Sequence, residues 1–249
     1  MKRAVTVLAA ALWLCACATH TLLSDADQQK VREAEQGKRY FLRYSFFVGP
    51  FFSYEDRLLV SERDFDERAL VENLSGEPIF SASPQAVIPF GTPVHVKQVE
   101  FPTSSVVVNR RLKSPRHFTW VYLELEGTNH EKPLILVLTN EMRTPADFDR
   151  ALENFLVKED PRPAFASLPA EILQAVDGKQ IVKGMRWDAL LRSRGHPDRV
   201  DRREEGGKKI EKWFYRPDRW VLLEDGQVVQ WEGFPSVSLE KFAEQAVQQ

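Results

Sequence analysis

Apolar and polar positions alternate over much of the segment spanning residues 40–138, and turn residues interrupt the alternation at short intervals. The clearest case is the stretch 120–126, because Val121, Leu123 and Leu125 share one face of an extended chain. The pattern therefore predicts a β-rich N-terminal domain. The predicted strands cover residues 40–48, 58–61, 69–74, 86–88, 94–101, 106–109, 120–126 and 134–138.

A helical pattern follows these strands. Thr144, Pro145 and Asp147 form a typical helix start, with an N-cap hydroxyl, a proline in the first turn and an acidic residue that reaches back. The apolar positions that follow recur at helical spacing, at Phe148, Leu152, Phe155 and Leu156. This helix is expected to dock on the strands. Asp160 and Pro161 end the pattern and predict a boundary between a domain 38–160 and a domain 161–249.

The C-terminal domain begins with two helical patterns and continues with short strands. The first helix runs from Pro169 to Gly178, and the second covers residues 187–194 and ends at Gly195, with Pro197 two residues later. The predicted strands cover residues 200–203, 209–215, 219–224 and 228–231. Gly226 lies in the last tight turn between them. The order predicts a helix–helix–antiparallel meander domain.

The fold class expected from these elements is α+β. It comprises a small N-terminal β-barrel with a docking helix, followed by the C-terminal meander domain. Residues 88–96, with the sequence IPFGTPVHV, resemble the glycine turn and Val-x-Val strand of bacterial SH3-like barrels. Another small β-barrel or a sandwich is the alternative, because a glycine frees the backbone for a tight corner in any of them.

Composition indicates a folded body and excludes one class of partner. Hydrophobic residues make up 43% of the 249 residues and charged residues 28%, which suits a globular chain. The formal net charge is −2, and no sustained basic patch is present. Because binding to phosphates requires a basic footprint, nucleic acid is not expected as a partner.

The N-terminus predicts a cleaved leader. Lys2 and Arg3 precede an apolar run at residues 4–14, which is too short to cross a bilayer. The next residues, Leu14-Cys15-Ala16-Cys17, resemble the lipobox of bacterial lipoproteins. The resemblance implies a signal peptide at residues 1–16, cleavage before Cys17 and acylation of that residue, with residues 17–37 as anchor and tether.

The lipobox resemblance also implies a location. Ala18 stands where an aspartate would favour retention in the inner membrane, so the outer membrane, facing the periplasm, is expected. The alternative is an ordinary signal peptide that leaves Cys17 as a free or disulfide-linked thiol. Within the tether, Ser24 with Asp27 predicts the start of a short helix that Gly37 ends.

No catalytic residue, metal ligand or cofactor site is predicted. The five histidines stand singly, without the spacing that a metal site requires, at His20, His95, His117, His130 and His196. The only cysteines are Cys15 and Cys17, so the folded body has no thiolate nucleophile. No serine lies in a glycine elbow.

Several residues of the C-terminal part resemble the SmpA/OmlA (BamE-like) family. They are Gly184-Met185, Gly195-x-Pro197, the aromatic run Trp213-Phe214-Tyr215 and Leu222–Val229 around the Asp225-Gly226 turn. The sequence departs from the family at Arg186, Leu190 and Ser193-Arg194. The resemblance implies a lipoprotein associated with assembly of outer-membrane β-barrel proteins.

A surface for a protein partner is predicted in the same part. A basic hairpin carries Arg202, Arg203, Lys208 and Lys209, and it suits an acidic partner or anionic lipid. Interspersed acidic residues leave an ordinary mixed-charge hairpin as the alternative; they are Asp198, Asp201, Glu204, Glu205 and Glu211. Further candidates are the exposed members of an aromatic set that comprises Trp187, Trp213, Phe214, Tyr215, Trp220 and Trp231. The expected function is a non-catalytic interaction or scaffold lipoprotein of the envelope, in outer-membrane protein assembly or envelope maintenance. The alternatives are a peptidoglycan-binding SH3-like module and a hydrolase with an atypical site.

Overall fold

The computed structural model describes residues 22–128, 130–235 and 239–242. In these residues, fourteen strands form three sheets and five α-helices accompany them. The strands are β1 Arg39–Leu42, β2 Phe46–Phe51, β3 Tyr54–Ser61, β4 Val71–Glu72, β5 Pro78–Ile79, β6 Ala86–Ile88, β7 Pro93–Glu100, β8 Thr119–Leu125, β9 Leu134–Leu138, β10 Leu156–Val157, β11 Arg199–Glu205, β12 Lys208–Arg216, β13 Arg219–Glu224 and β14 Gln227–Glu232. The helices are α1 Asp25–Glu35, α2 Ser104–Asn109, α3 Pro145–Glu153, α4 Ala170–Asp177 and α5 Trp187–Arg194, with 3-10 turns at Phe65–Glu67 and Arg162–Phe165.

The largest sheet has eight strands in the order β10-β1-β7-β8-β9-β3-β2-β6. The β3–β9 pair is parallel and every other pair in this sheet is antiparallel. β1 and β2 form one stretch of the chain, and β6 and β7 form another. The two stretches run antiparallel and pair on both sides of a break, β1 with β7 and β2 with β6. The sheet therefore bends where both stretches break, around Ser45 and Phe90.

Both faces of this sheet are covered. One face packs with α1 and α3 around Phe46, Val121 and Phe148, all fully buried. The other face buries Phe51 and Trp120, whose rings meet edge to face with centroids 4.8 Å apart. Such aromatic pairs are worth about 0.5–1.5 kcal/mol beyond the area they bury. The alternation along β8 thus sends successive side chains into two separate cores.

The C-terminal part is a four-stranded antiparallel sheet in the order β11-β12-β13-β14, against which α4 and α5 pack. Its core includes Met185, Tyr215 and Leu223, and also Phe90 from the bend of the large sheet. Ser45 strengthens that junction, because its hydroxyl donates to the Val176 carbonyl at 2.7 Å and accepts from the Phe90 amide at 3.0 Å.

A buried lysine joins three segments at the same junction. The Lys179 ammonium donates to the carbonyls of Ser45, Glu62 and Ser193 at 2.8, 2.7 and 2.5 Å. Burial, followed by repulsion from Arg194, lowers the pKa of Lys179 well below its ordinary value, whereas the carboxylates of Glu62, Glu67 and Asp64 oppose that shift. Lys179 is 2% exposed, so its bonds hold the bend of the large sheet, the end of β3 and α5 together away from water.

The predicted α+β fold class is wrong. The described chain is mostly β, with an eight-stranded sheet of mixed direction instead of a small, possibly SH3-like, N-terminal barrel. One reason is that residues 40–48, read as one strand, break into β1 and β2 at the bend. A second is that Leu156, assigned to the docking helix, lies in β10 and pairs with Leu42 of β1.

A BamE-like helix–helix–meander domain is not shown either. α4 and α5 have only eight residues each, and their core includes Phe90 from the large sheet. The bonds from Lys179 also tie this part to the end of β3. The predicted boundary after residue 160 stays a prediction, although these contacts cross it.

Two local predictions have opposite outcomes. α3 begins as expected, because the Thr144 side chain accepts from the Asp147 amide while the Asp147 carboxylate accepts from the Thr144 amide. The strand predicted at 106–109 is wrong, since these residues lie in α2. Thr103 caps that helix, with its side chain accepting from the Val106 amide at 3.4 Å, and this start signal outweighs the strand preference of the valines.

The predicted tether contains a docked helix. α1 begins after Ser24, whose side chain accepts from the Asp27 amide at 3.1 Å, as the sequence predicts. The Tyr40 hydroxyl donates to Glu35 at 2.7 Å, and the Gly37 amide donates to the Val96 carbonyl at 2.7 Å. These contacts fix the end of α1 on the large sheet.

Candidate functional site

An open groove of about 700 Å³ lies between α5 and the β11–β12 hairpin. It combines apolar and charged side chains on one face of the small sheet. The residues that line it are Trp187, Leu191, His196, Pro197, Val200, Arg202, Lys209, Glu211, Trp213, Asp225 and Gly226.

Alternate side chains along β11 and β12 point to the same face of the small sheet, and this places the groove residues of these strands together. Val200 pairs with Trp213 and Arg202 pairs with Glu211 across β11 and β12, so all four side chains point the same way. The helices bury the part of this face that β13 and β14 contribute. Of the seven residues of β11, only Val200 is partly buried and the others are exposed, so this end of the face stays open.

Two indole rings belong to the apolar part of the groove, together with Leu191, Pro197 and Val200. Trp213 is 6% exposed, and its Nε1 donates to the Glu211 carboxylate at 3.4 Å. Trp187 is 48% exposed, and its backbone amide donates to the Gly226 carbonyl at 2.8 Å. Gly226 has a φ of +79°, and the Trp187 Cδ1 lies 3.2 Å from the position of a Cβ there, so a larger residue would both strain the turn and displace the indole.

A buried carboxylate sets the electrostatics of the groove. Glu211 accepts from Arg202 Nε at 2.8 Å and lies 2.9 Å from Lys209 Nζ. Desolvation raises the pKa of Glu211, but bonds from Lys209 and Arg202 outweigh it and hold the pKa below its ordinary value. The Glu211 side chain is 7% exposed whereas those of Arg202 and Lys209 are 64% and 59% exposed. Two cations therefore face solvent above a covered carboxylate.

The imidazole of His196 lies in the wall of the groove. It contacts Tyr44 edge to face, with ring centroids 6.0 Å apart. Burial, followed by repulsion from Arg43 and Arg192, lowers the pKa of His196 below its ordinary value. The lowered pKa favours the neutral ring, which adds an aromatic surface to the wall.

The groove brings together five of the residues that the sequence singled out, namely Pro197, Arg202, Lys209, Trp213 and Gly226. The other two predicted partner cations lie outside its lining and have single acidic partners. Arg203 bonds to Glu205 at 3.1 Å, and Lys208 bonds to Glu224 at 2.9 Å.

The remaining motif residues support the small sheet. Gly184, with a φ of +81°, donates through its amide to the Val228 carbonyl at 2.8 Å, and Met185 is fully buried. The buried Tyr215 hydroxyl donates to the carbonyl of Gly195 at 3.2 Å. Cys17 lies outside the described residues.

Sequence reasoning missed the acidic centre of the groove. Glu211 was read only as one of several acidic residues that dilute a basic hairpin. Its position opposite Arg202 and two residues before Trp213 is the signal that identifies it, because strand alternation places all three on one face.

Among residues 22–128, 130–235 and 239–242, no three His, Cys, Asp or Glu side chains are grouped so as to hold a metal ion. No helix in this part of the chain is long and apolar enough to cross a membrane.

Compared with models of protein families, with curated proteins and with solved structures, the chain gives no match.

Proposed function

We propose that this protein is a non-catalytic lipoprotein of the bacterial envelope that holds a segment of a partner protein in the groove between α5 and the β11–β12 hairpin. The observation that carries the proposal is the half-exposed Trp187, which lines the same groove as the buried Trp213 at the open end of the small sheet. Exposed tryptophans next to apolar pockets are typical anchors of protein–protein interfaces.

The proposed occupant is an extended segment of an envelope protein. β11 pairs with β12 on one side only and lies at the edge of its sheet, so a partner strand has main-chain groups to bind there. A strand added beside β11 directs every second side chain toward the groove face, next to Val200 and Arg202. Because Arg202 and Lys209 are the exposed cations, the segment is expected to carry an apolar side chain for the tryptophans and an acidic one for these cations.

Photo-crosslinking in intact cells tests the groove. A photoreactive amino acid at position 187 is expected to crosslink to one envelope protein, through a segment that contains both an acidic and an apolar residue. The same amino acid at Leu112, which is 78% exposed and outside the groove, is the control. Charge reversal by Lys209→Glu should lower the crosslinking yield several-fold, whereas Lys132→Glu, on an exposed loop, should not.

Three outcomes contradict this role for the groove. They are equal crosslinking from positions 187 and 112, a crosslinked segment without acidic residues, and crosslinks only between two copies of this chain. A crosslinked partner engaged in outer-membrane protein assembly or envelope maintenance is the expected result.

The anchor has a separate test on Cys17. Mass spectrometry of the mature protein is expected to show an N-terminal Cys17 that carries a diacylglyceryl group and an amide-linked acyl chain. Since one buried chain gives only marginal membrane binding and three make it effectively permanent, Cys17→Ala should release the protein from membranes. Cys15→Ala lies within the predicted leader and should leave the mature mass unchanged. A mature protein with an unmodified Cys17 contradicts the proposal.

A further inference from the structure

A second cavity, of about 280 Å³, lies at the junction of the large sheet with the C-terminal part. It shares no lining residue with the groove. Its walls combine apolar groups with charged and hydroxyl groups, which is the composition typical of small-molecule sites. The residues that line it are Phe47, Asp64, Phe65, Asp66, Ser81, Ser83, Pro84, Gly178, Lys179, Gln180, Arg194, Arg219, Pro235 and Leu239.

Arg194 is a buried cation of this lining whose hydrogen bonds are incomplete. It is 5% exposed, and its guanidinium lies over the rings of Phe47 and Phe234, at 5.4 and 4.6 Å from their centroids. One Nη donates to the Lys179 carbonyl at 3.1 Å and the other lies 3.7 Å from Glu67. Within the described part of the chain, its Nε has no hydrogen-bond partner. A buried N–H without an acceptor is costly, so a ligand oxygen would satisfy it.

The other charged groups of the lining are the cations Lys179 and Arg219 and the carboxylates Asp64 and Asp66. Lys179 uses its three protons on backbone carbonyls, and among the described residues no carboxylate lies within ion-pair distance of it. Arg219, in contrast, is matched by Asp66 through two bonds of 2.7 and 2.6 Å. Arg194 is therefore the least compensated arginine of the lining, because its one carboxylate lies 3.7 Å away and is shared with Arg219 at 2.9 Å, and an anionic group beside it is favoured.

The remaining walls favour an apolar body. Phe47 and Phe65 are buried, and Pro84, Pro235 and Leu239 complete the apolar lining. The cavity is slightly smaller than the roughly 300–1,000 Å³ of drug-sized sites, so its ligand has few heavy atoms.

We propose that this cavity binds a small carboxylate with an apolar body, its carboxylate accepting from Arg194 Nε and its body lying against Phe47 and Phe65. Short fatty acids, aryl-alkanoic acids and apolar amino acids share this chemistry. The site is independent of the docking groove, so either proposal can fail without the other.

Titration calorimetry on the full-length chain in detergent tests the ligand class. The probes are hexanoate and 3-phenylpropanoate, each compared with its uncharged amide. Each acid is expected to bind at least tenfold more tightly than its amide and to raise the midpoint of thermal unfolding. L-Phenylalanine, as a third probe, distinguishes apolar amino acids from simple carboxylic acids as the ligand. Its added ammonium strengthens binding only if the Asp64 carboxylate faces it. Failure of both acids to bind at millimolar concentration, or equal binding of acid and amide, overturns the proposal.

Two variants locate the site. Ser83 is exposed at the lining, so Ser83→Trp should fill the cavity and weaken binding at least tenfold, whereas Ala82→Trp, on its exposed neighbour outside the lining, should not. Arg194→Gln should remove the preference for acid over amide. If Arg194→Gln does not fold, Ser83→Trp alone decides the question. Binding of the acids that is unchanged in Ser83→Trp would place the ligand outside this cavity and overturn the proposal.

Discussion

Replacing Lys179 with methionine is expected to lower the free energy of unfolding by about 3–5 kcal/mol, since hydrogen bonds to a charged donor are worth about 1.5–3 kcal/mol and an unpaired buried acceptor has a further cost. Methionine keeps the length and the apolar stem of the side chain but removes the donor that binds the carbonyls of Ser45, Glu62 and Ser193. Lys179 already has a φ of +55°, so the substitution leaves the backbone strain nearly unchanged.

Chemical denaturation of the full-length variant measures this effect, and a second lysine of the same loop provides a matched control. Lys183→Met replaces an exposed lysine of the same loop and should change the free energy of unfolding by less than about 0.5 kcal/mol. Equal stability of the two variants would show that the three carbonyls do not depend on the ammonium.

Much of the local structure follows from the sequence, because its causes are local. The helix start at Thr144 and the turn at Gly226 each depend on residues within a few positions. The bend at Ser45 is different. The Ser45 hydroxyl donates to the Val176 carbonyl, which lies far along the chain. No local pattern therefore shows that the predicted strand 40–48 breaks into β1 and β2.

The candidate site divides in the same way. Arg202, Lys209 and Trp213 were found by their residue types, and strand register places them together. Glu211 and the half-exposed Trp187 acquire their meaning only when α5 is seen to leave the β11 end of the sheet open. The cavity around Arg194 has no signal in the sequence, since its walls come from segments that only the tertiary structure brings together.

The cluster beside that cavity contains one carboxylate that three arginines share. Glu67 has no exposed side-chain surface, and it lies 2.9 Å from Arg219, 3.2 Å from Arg63 and 3.7 Å from Arg194. Arg219 also donates two hydrogen bonds to the Asp66 carboxylate. Arg63 also binds Asp198, at 2.5 and 3.1 Å. Among the residues of the described ranges, Arg194 has no other carboxylate within ion-pair distance.

Replacing Glu67 with glutamine is therefore expected to cost about 3–5 kcal/mol of unfolding free energy, because it leaves the Arg194 charge buried and uncompensated. If Arg194 carries the penalty, the double variant Glu67→Gln/Arg194→Gln should lose less than the sum of the two single losses, by about 1–3 kcal/mol. Chemical denaturation of the four proteins measures this coupling, with Glu77→Gln, on an exposed turn, as a control of small effect. Strict additivity would assign the penalty to Arg63 or Arg219 instead, and a neutral Glu67→Gln would mean that the arginines do not need this charge.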